Sequence, residues 1–218
     1  MESRLDLFGG PVTSTFIRYL QSANKVVAES ALPAATQELV RLRASQINGC
    51  AFCTDMHAKE AQHSGETQLR LNLVAVWREA TVFTEAERAA LELTEQGTRI
   101  ADAATGVTDD AWSNAAKHYD DDQLGALVSL IAEINAWNRL NVITRRPAGD
   151  YRPGQFHWPA LDHPDLSGAR RGPAGEVANE RQFEASCGAG SGVVVRLPGR
   201  PLAGMVLRRL WRGRKHEL

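Results

Sequence analysis

Apolar side chains in the first 150 residues recur at intervals of three and four, the repeat of a helix face rather than of a strand. Phe16, Ile17 and Leu20 make one such set, and Leu39, Val40 and Leu42 make another. Pro33 stands just ahead of the second set, where its fixed φ suits a helix start, so a helix is predicted from there to Gln46. Asn48–Gly49 then turns the chain. A second helix is expected from about Cys50 to near Gly65, a residue suited to ending it. Thr84-x-x-Glu87 and Asp120-x-x-Gln123 have the spacing of capping boxes. The first opens a helix to about Ile100, and the second opens the long apolar run "QLGALVSLIAEINAWNRL". "TDDAWSNAAKHY" predicts a shorter helix between them. No stretch before residue 150 alternates as a half-buried strand would, so the fold class is all-α.

The pattern breaks at "RRPAGDYRPGQFHWP". Prolines and glycines punctuate the rest of the chain, and "CGAGSG" (Cys187–Gly192) has linker composition. The expected organisation is a helical domain over 1–150 and a largely irregular extension over 151–218. That extension ends in at most one short basic amphipathic helix, "LAGMVLRRLWRGRKHEL". Acidic residues outnumber basic ones in the front part and the balance reverses in the back, although the whole chain carries a formal charge of only −1. Nothing in that balance points to nucleic acid. The basic tail is read as an extension without a stable fold of its own, not as a membrane contact. The most apolar short run, "LNLVAVW", is far too short to span a bilayer. The N-terminus has no basic-then-apolar leader, so the final "KHEL" carries no weight as a retrieval signal and a cytoplasmic protein is expected.

With three cysteines in 218 residues, a close pair in a reducing compartment points to metal or redox chemistry before a structural disulfide. In "INGCAFCTDMH", Cys50 and Cys53 stand three apart and His57 follows four later. On one helix all three share a face, with the two cysteines within bridging distance. The predicted helix start places both cysteines in its first turn, where free N–H groups and the positive end of the dipole favour the thiolate. If the Asn48–Gly49 turn folds two antiparallel helices, Glu38 comes level with His57, giving a Glu–His–Cys path for protons.

Two other readings stand beside this one. Two buried cysteines can simply be small apolar residues. Zinc could also be held by Cys50, Cys53 and His57 with Glu38 or His63 as a fourth ligand, stabilising a helical interaction module, although only one cysteine pair is present. His63 is read as a helix-end residue favourable to the dipole, and His118 as a surface or capping residue. Asp120, Asp121 and Asp122 are read as helix-capping groups. Trp137 is expected in the core, with Arg139 capping the end of its helix.

"ELVRLRASQINGCAFCTDMH" resembles the signature of alkylhydroperoxidase D (AhpD) and the carboxymuconolactone decarboxylase-like superfamily. It has a Glu twelve residues before the first Cys of Cys-x-x-Cys and a His four after the second. "LNLVAVWREATVFTEAERAALELTE" and "INAWNRLNV" resemble its single-domain, cysteine-containing members, and the likeness covers roughly residues 5–150. The resemblance implies an all-helical AhpD-like fold and a thiol-dependent hydroperoxide reductase without a bound cofactor. Cys53 would attack the peroxide and Cys50 would resolve the sulfenic acid, with Glu38 and His57 relaying protons. A dithiol donor of lipoyl or thioredoxin type would reduce the disulfide at an exposed Cys50. The resemblance also implies a trimer or hexamer, and it hints that Trp137, Asn138 and Arg139 line the site or a subunit surface. A slower dithiol relay or redox sensor would use the same residues. Ala51–Phe52 departs from members that carry a relay histidine between the cysteines.

Overall fold

The computed structural model describes residues 2–103 and 106–155. All its regular structure is helical: α1 Pro11–Ala28, α2 Ala34–Ile47, α3 Ala51–His63, α4 Gln68–Leu73 with a 3₁₀ turn at Val74–Val76, α5 Glu85–Thr98, α6 Asp109–Ala115 and α7 Asp121–Thr144. No described helix is long and apolar enough to cross a membrane. Cys187 and the basic end of the chain lie outside the described residues.

The stop and start signals act where the sequence places them. Pro33 is the N-cap of α2, and both capping boxes close with their reciprocal side-chain and backbone hydrogen bonds. Asp121 and Asp122 occupy the first turn of α7, complementing the dipole there. Gly49 at φ 64° and Gly65 at φ 99° take the left-handed backbone that ends α2 and α3. His118 is exposed, and His63 is the last residue of α3.

Helix α2 occupies the middle of the molecule and packs against α3, α5 and α7. Burial therefore runs almost all round it, from Thr36 and Gln37 to Ala44 and Ser45. On one side Val40 joins Ala90, Leu93, Leu127 and Leu130. On the other, Leu39 and Leu42 join Leu71, Val74, Trp77, Phe83 and Leu91. Removing apolar area of this kind from water stabilises by about 25 cal/mol per Å², so α2 is held from both sides. Of the set that predicted α1, Ile17 is buried and Phe16 is half exposed.

Helix α7 changes character along its length. Up to Ile134 it buries mainly aliphatic side chains, Leu124, Leu127, Leu130, Ile131 and Ile134, with Glu133 among them, whereas from Asn135 on it buries Asn135, Asn138, Asn141 and Thr144. Arg139 does not cap it. The helix runs on to Thr144, with Arg145 as its C-cap in the left-handed conformation. Arg139 instead lies on an exposed face, bonded back to the Asn135 carbonyl at 3.0 Å. The apolar repeat reads past it because the last turns of α7 pack through amides rather than aliphatic side chains.

Candidate active site

Cys50 is the N-cap of α3 and not part of its first turn. It has extended backbone, and its sulfur accepts a hydrogen bond from the Cys53 amide at 3.3 Å. The Asn48–Gly49 turn supplies this geometry by ending α2 and returning the chain at once. Cys53 sits three residues in, within the first turn. The two cysteines are joined as a disulfide, with Cα atoms 5.4 Å apart.

Three asparagines of α7 hold the turn in place. Asn48 Nδ2 donates to Asn138 Oδ1 at 2.8 Å and to Asn135 Oδ1 at 3.0 Å. Asn138, fully buried, donates to Ser45 Oγ at 3.0 Å. One turn on, Asn141 Nδ2 donates to Cys53 Sγ at 3.3 Å. That sulfur is half of a disulfide here; in the reduced protein the same donor faces the thiolate. Bonds of this kind made away from water cost about 1–3 kcal/mol when one partner is removed.

One turn after Cys53, His57 Nδ1 lies 3.0 Å from Glu38 Oε2. The antiparallel α2–α3 hairpin thus brings together the pair expected from sequence. Glu38 Oε1 is held by Arg41 at 2.7 Å, and Arg41 reaches on to Asn24 Oδ1 at 3.0 Å. Burial alone would raise the Glu38 pKa, but His57 and Arg41 outweigh it and bring the carboxyl down to about 2. Glu38 is therefore an anion at any physiological pH, able to orient the His57 imidazole.

These groups open onto a cavity of about 610 Å³ lined by Cys53, Glu38, His57 and Arg41, with Phe8, Phe52, Met56 and Trp137 as apolar walls. Trp137 thus lines the site and is not a core residue. Glu133 and Asn141, which line the same cavity from α7, are absent from the set expected from sequence. A lone acid inside "LVSLIAEINAW", with aromatic and amide residues at +4 and +8, is the signal that could have found them.

Both sulfurs are buried, each residue only 1% exposed. Cys50 is therefore not the exposed partner expected from sequence. The cover comes from beyond the end of α7. Arg146 lies over the Phe52 ring, 3.8 Å from its centroid, and Tyr151 meets that ring edge-on. The Tyr151 hydroxyl bonds to Glu60, while Lys59 holds the Gly149 and Tyr151 carbonyls at 2.9 and 3.0 Å. These residues form a strap across Cys50, Phe52 and Cys53 that local sequence reading does not reveal.

Among the described residues, no group of three or more His, Cys, Asp and Glu is placed to hold a metal ion. His63 is exposed at the far end of α3.

The sequence model of the carboxymuconolactone decarboxylase family matches residues 14–96, a span that holds Glu38, Cys50, Cys53 and His57 and ends before Glu133 and Asn141. The uncharacterised protein YdfG of Bacillus subtilis is 37% identical over 126 residues, 58% of this chain and 84% of YdfG. A protein of unknown function from Agrobacterium tumefaciens, a candidate antioxidant defence protein AhpD, has a crystal structure that is 36% identical. It superposes with a TM-score of 0.64, covering 69% of this chain and 100% of its own. The alkylhydroperoxidase AhpD core of an uncharacterised peroxidase-related protein from Ralstonia eutropha JMP134 shares the fold at 17% identity. Its TM-score is 0.54, with 63% of this chain and 72% of that one covered.

Proposed function

The chain belongs to the carboxymuconolactone decarboxylase family, and from that premise we propose that it is a thiol-dependent hydroperoxide reductase. The observation that carries this reading is that Cys53, bridged to Cys50 behind it, shares one cavity with the Glu38–His57 pair.

In the first step the Cys53 thiolate attacks the terminal oxygen of the hydroperoxide. The S–O bond forms as the O–O bond breaks, leaving a sulfenic acid on Cys53 and an alkoxide that takes a proton to depart as alcohol. His57, one helical turn or about 6 Å along the axis from Cys53, supplies that proton through a water. Glu38 orients the imidazole and never needs to give up its charge. In the second step the Cys50 thiolate attacks the sulfenic sulfur, and hydroxide leaves as water once protonated. The product is the disulfide present in this structure. An external dithiol, of lipoyl or thioredoxin type, then returns two electrons by exchange. Asn141 supports the first step by donating to the attacking sulfur.

The test is a thiol count. The reduced protein, given one equivalent of cumene hydroperoxide, should lose two thiols per chain and release one equivalent of alcohol. Retention of both thiols would sink the proposal.

The strap bears on the final step, since Cys50 and Cys53 are each 1% exposed and a dithiol donor must displace that cover to reach a sulfur. Replacing Tyr151 by Ala removes the edge contact to Phe52 and the bond to Glu60. Reduction of the disulfide by dithiothreitol, followed as thiol release, should then accelerate several-fold. An unchanged rate would show that the strap does not control access.

A further inference from the structure

Glu133, Trp137 and Asn141 are spaced at four residues, so they stand on one face of α7, and all three line the cavity. Asn141 marks the reactive end, because its amide touches Cys53 Sγ. Glu133 lies eight residues back, about 12 Å along the helix from that contact. The Trp137 indole forms the wall between. The cavity is thus lined by Cys53 and, about 12 Å along α7 from the Asn141 contact, by Glu133, with Trp137, Phe52 and Met56 as apolar surface and Glu38, His57 and Arg41 as polar lining.

That carboxyl is unusual in its surroundings. Glu133 is only 6% exposed, and its Oε2 has no hydrogen-bond partner among the described residues. The α2 cation that acts on it is already engaged, since Arg41 bonds to Glu38 and Asn24. His57 is taken by Glu38 as well. Burial pushes the Glu133 pKa up and the Glu38 anion adds to this, against the pull of Arg41, His57 and the Trp137 indole. In its neutral form, which burial favours, such a carboxyl is a hydrogen-bond donor as well as an acceptor. A hydrogen peroxide molecule at Cys53 would leave both Glu133 and the apolar walls unused, whereas pockets of 300–1,000 Å³ typically enclose a sizeable organic ligand.

We propose that Glu133 is a specificity-determining residue, donating a hydrogen bond to an acceptor group at the far end of an elongated, uncharged, mostly apolar substrate. The class this selects is an organic hydroperoxide with a carbonyl or similar acceptor on the opposite end of its chain from the reacting oxygen. This rests on the peroxidase reading for the reaction, but binding at Glu133 is measurable without turnover.

The experiment is calorimetric titration of the full-length, disulfide-form protein with two unreactive probes. One is a straight-chain hydroxynonanone with its hydroxyl and carbonyl at opposite ends, and the other is nonanol. The wild type should bind the hydroxy-ketone about tenfold more tightly than the alcohol, as one buried hydrogen bond implies. Glu133→Gln retains a donor and should keep that preference, while Glu133→Met should bind both probes alike. Equal affinities in the wild type, no binding of either probe, or a preference that survives Glu133→Met would each overturn the proposal. If the Met variant does not fold, Glu133→Ala takes its place. Because the disulfide form does no chemistry, a failed thiol count leaves this result standing, and the reverse also holds.

Discussion

A Cys53→Ser variant should consume no hydroperoxide, while Cys50→Ser should consume one equivalent and stop with a sulfenic acid on Cys53. The asymmetry follows from where the two residues sit. Cys53 lies inside the first turn of α3, receives the Asn141 amide and faces the cavity with His57 one turn on. Cys50 is the helix cap and packs beneath Phe52 and Tyr151. A serine hydroxyl at position 53 is not ionised near neutral pH and is a far weaker nucleophile than a thiolate, so the loss should be essentially complete. Peroxide consumption measured under single-turnover conditions, with dimedone labelling of the sulfenic acid, reads both outcomes. A Cys53→Ser protein with the wild-type initial rate would show that the roles are assigned wrongly.

Glu38→Gln has the next largest effect. The amide keeps the shape but removes the anion that holds His57 and faces Arg41. Loss of a positioned acid–base partner lowers rates by about 10²–10⁴, so the second-order rate constant for hydroperoxide should fall within that range while the disulfide still forms slowly. Stability should change too, and in a pH-dependent way. The Glu38 carboxyl is lowered from 4.5 to about 2 in the folded protein. Its stabilisation is therefore fully present above pH 4.5 and is lost as the pH falls through about 2. Denaturant unfolding should show the variant less stable than wild type by a few kcal/mol at pH 7, with the gap closing on acidification. A gap that stays constant with pH would mean that Glu38 is not charged in the way described.

Much of this site is local, and the local part is visible in the sequence. Cys50, Cys53 and His57 lie within one turn-and-helix unit, where spacing decides which face each residue occupies. Glu38 is reachable from the same stretch because Asn48–Gly49 allows only a tight reversal between α2 and α3. Capping boxes at Thr84 and Asp120 depend on residues three apart, and both form. The apolar repeat misplaces Arg139 because the end of α7 is set by a left-handed Arg145 and by buried amides, neither of which such a repeat records. The exposure expected for Cys50 fails for a similar reason, since Arg146 and Tyr151 come from distant positions in the chain to meet the neighbouring Phe52.

The sequence by itself pointed to the all-helical class, to the helix starts at Pro33, Thr84 and Asp120, and to the nearness of Glu38 and His57, because these follow from contacts within a few residues or across one short turn. Only the tertiary structure decided that the sulfurs are buried, that Asn141 touches Cys53, and that Glu133 lines the same cavity with a buried carboxyl. Those properties depend on desolvation and on which surfaces α7 and the strap present to α3. They are sums over many distant contacts, and no local pattern of residues fixes them.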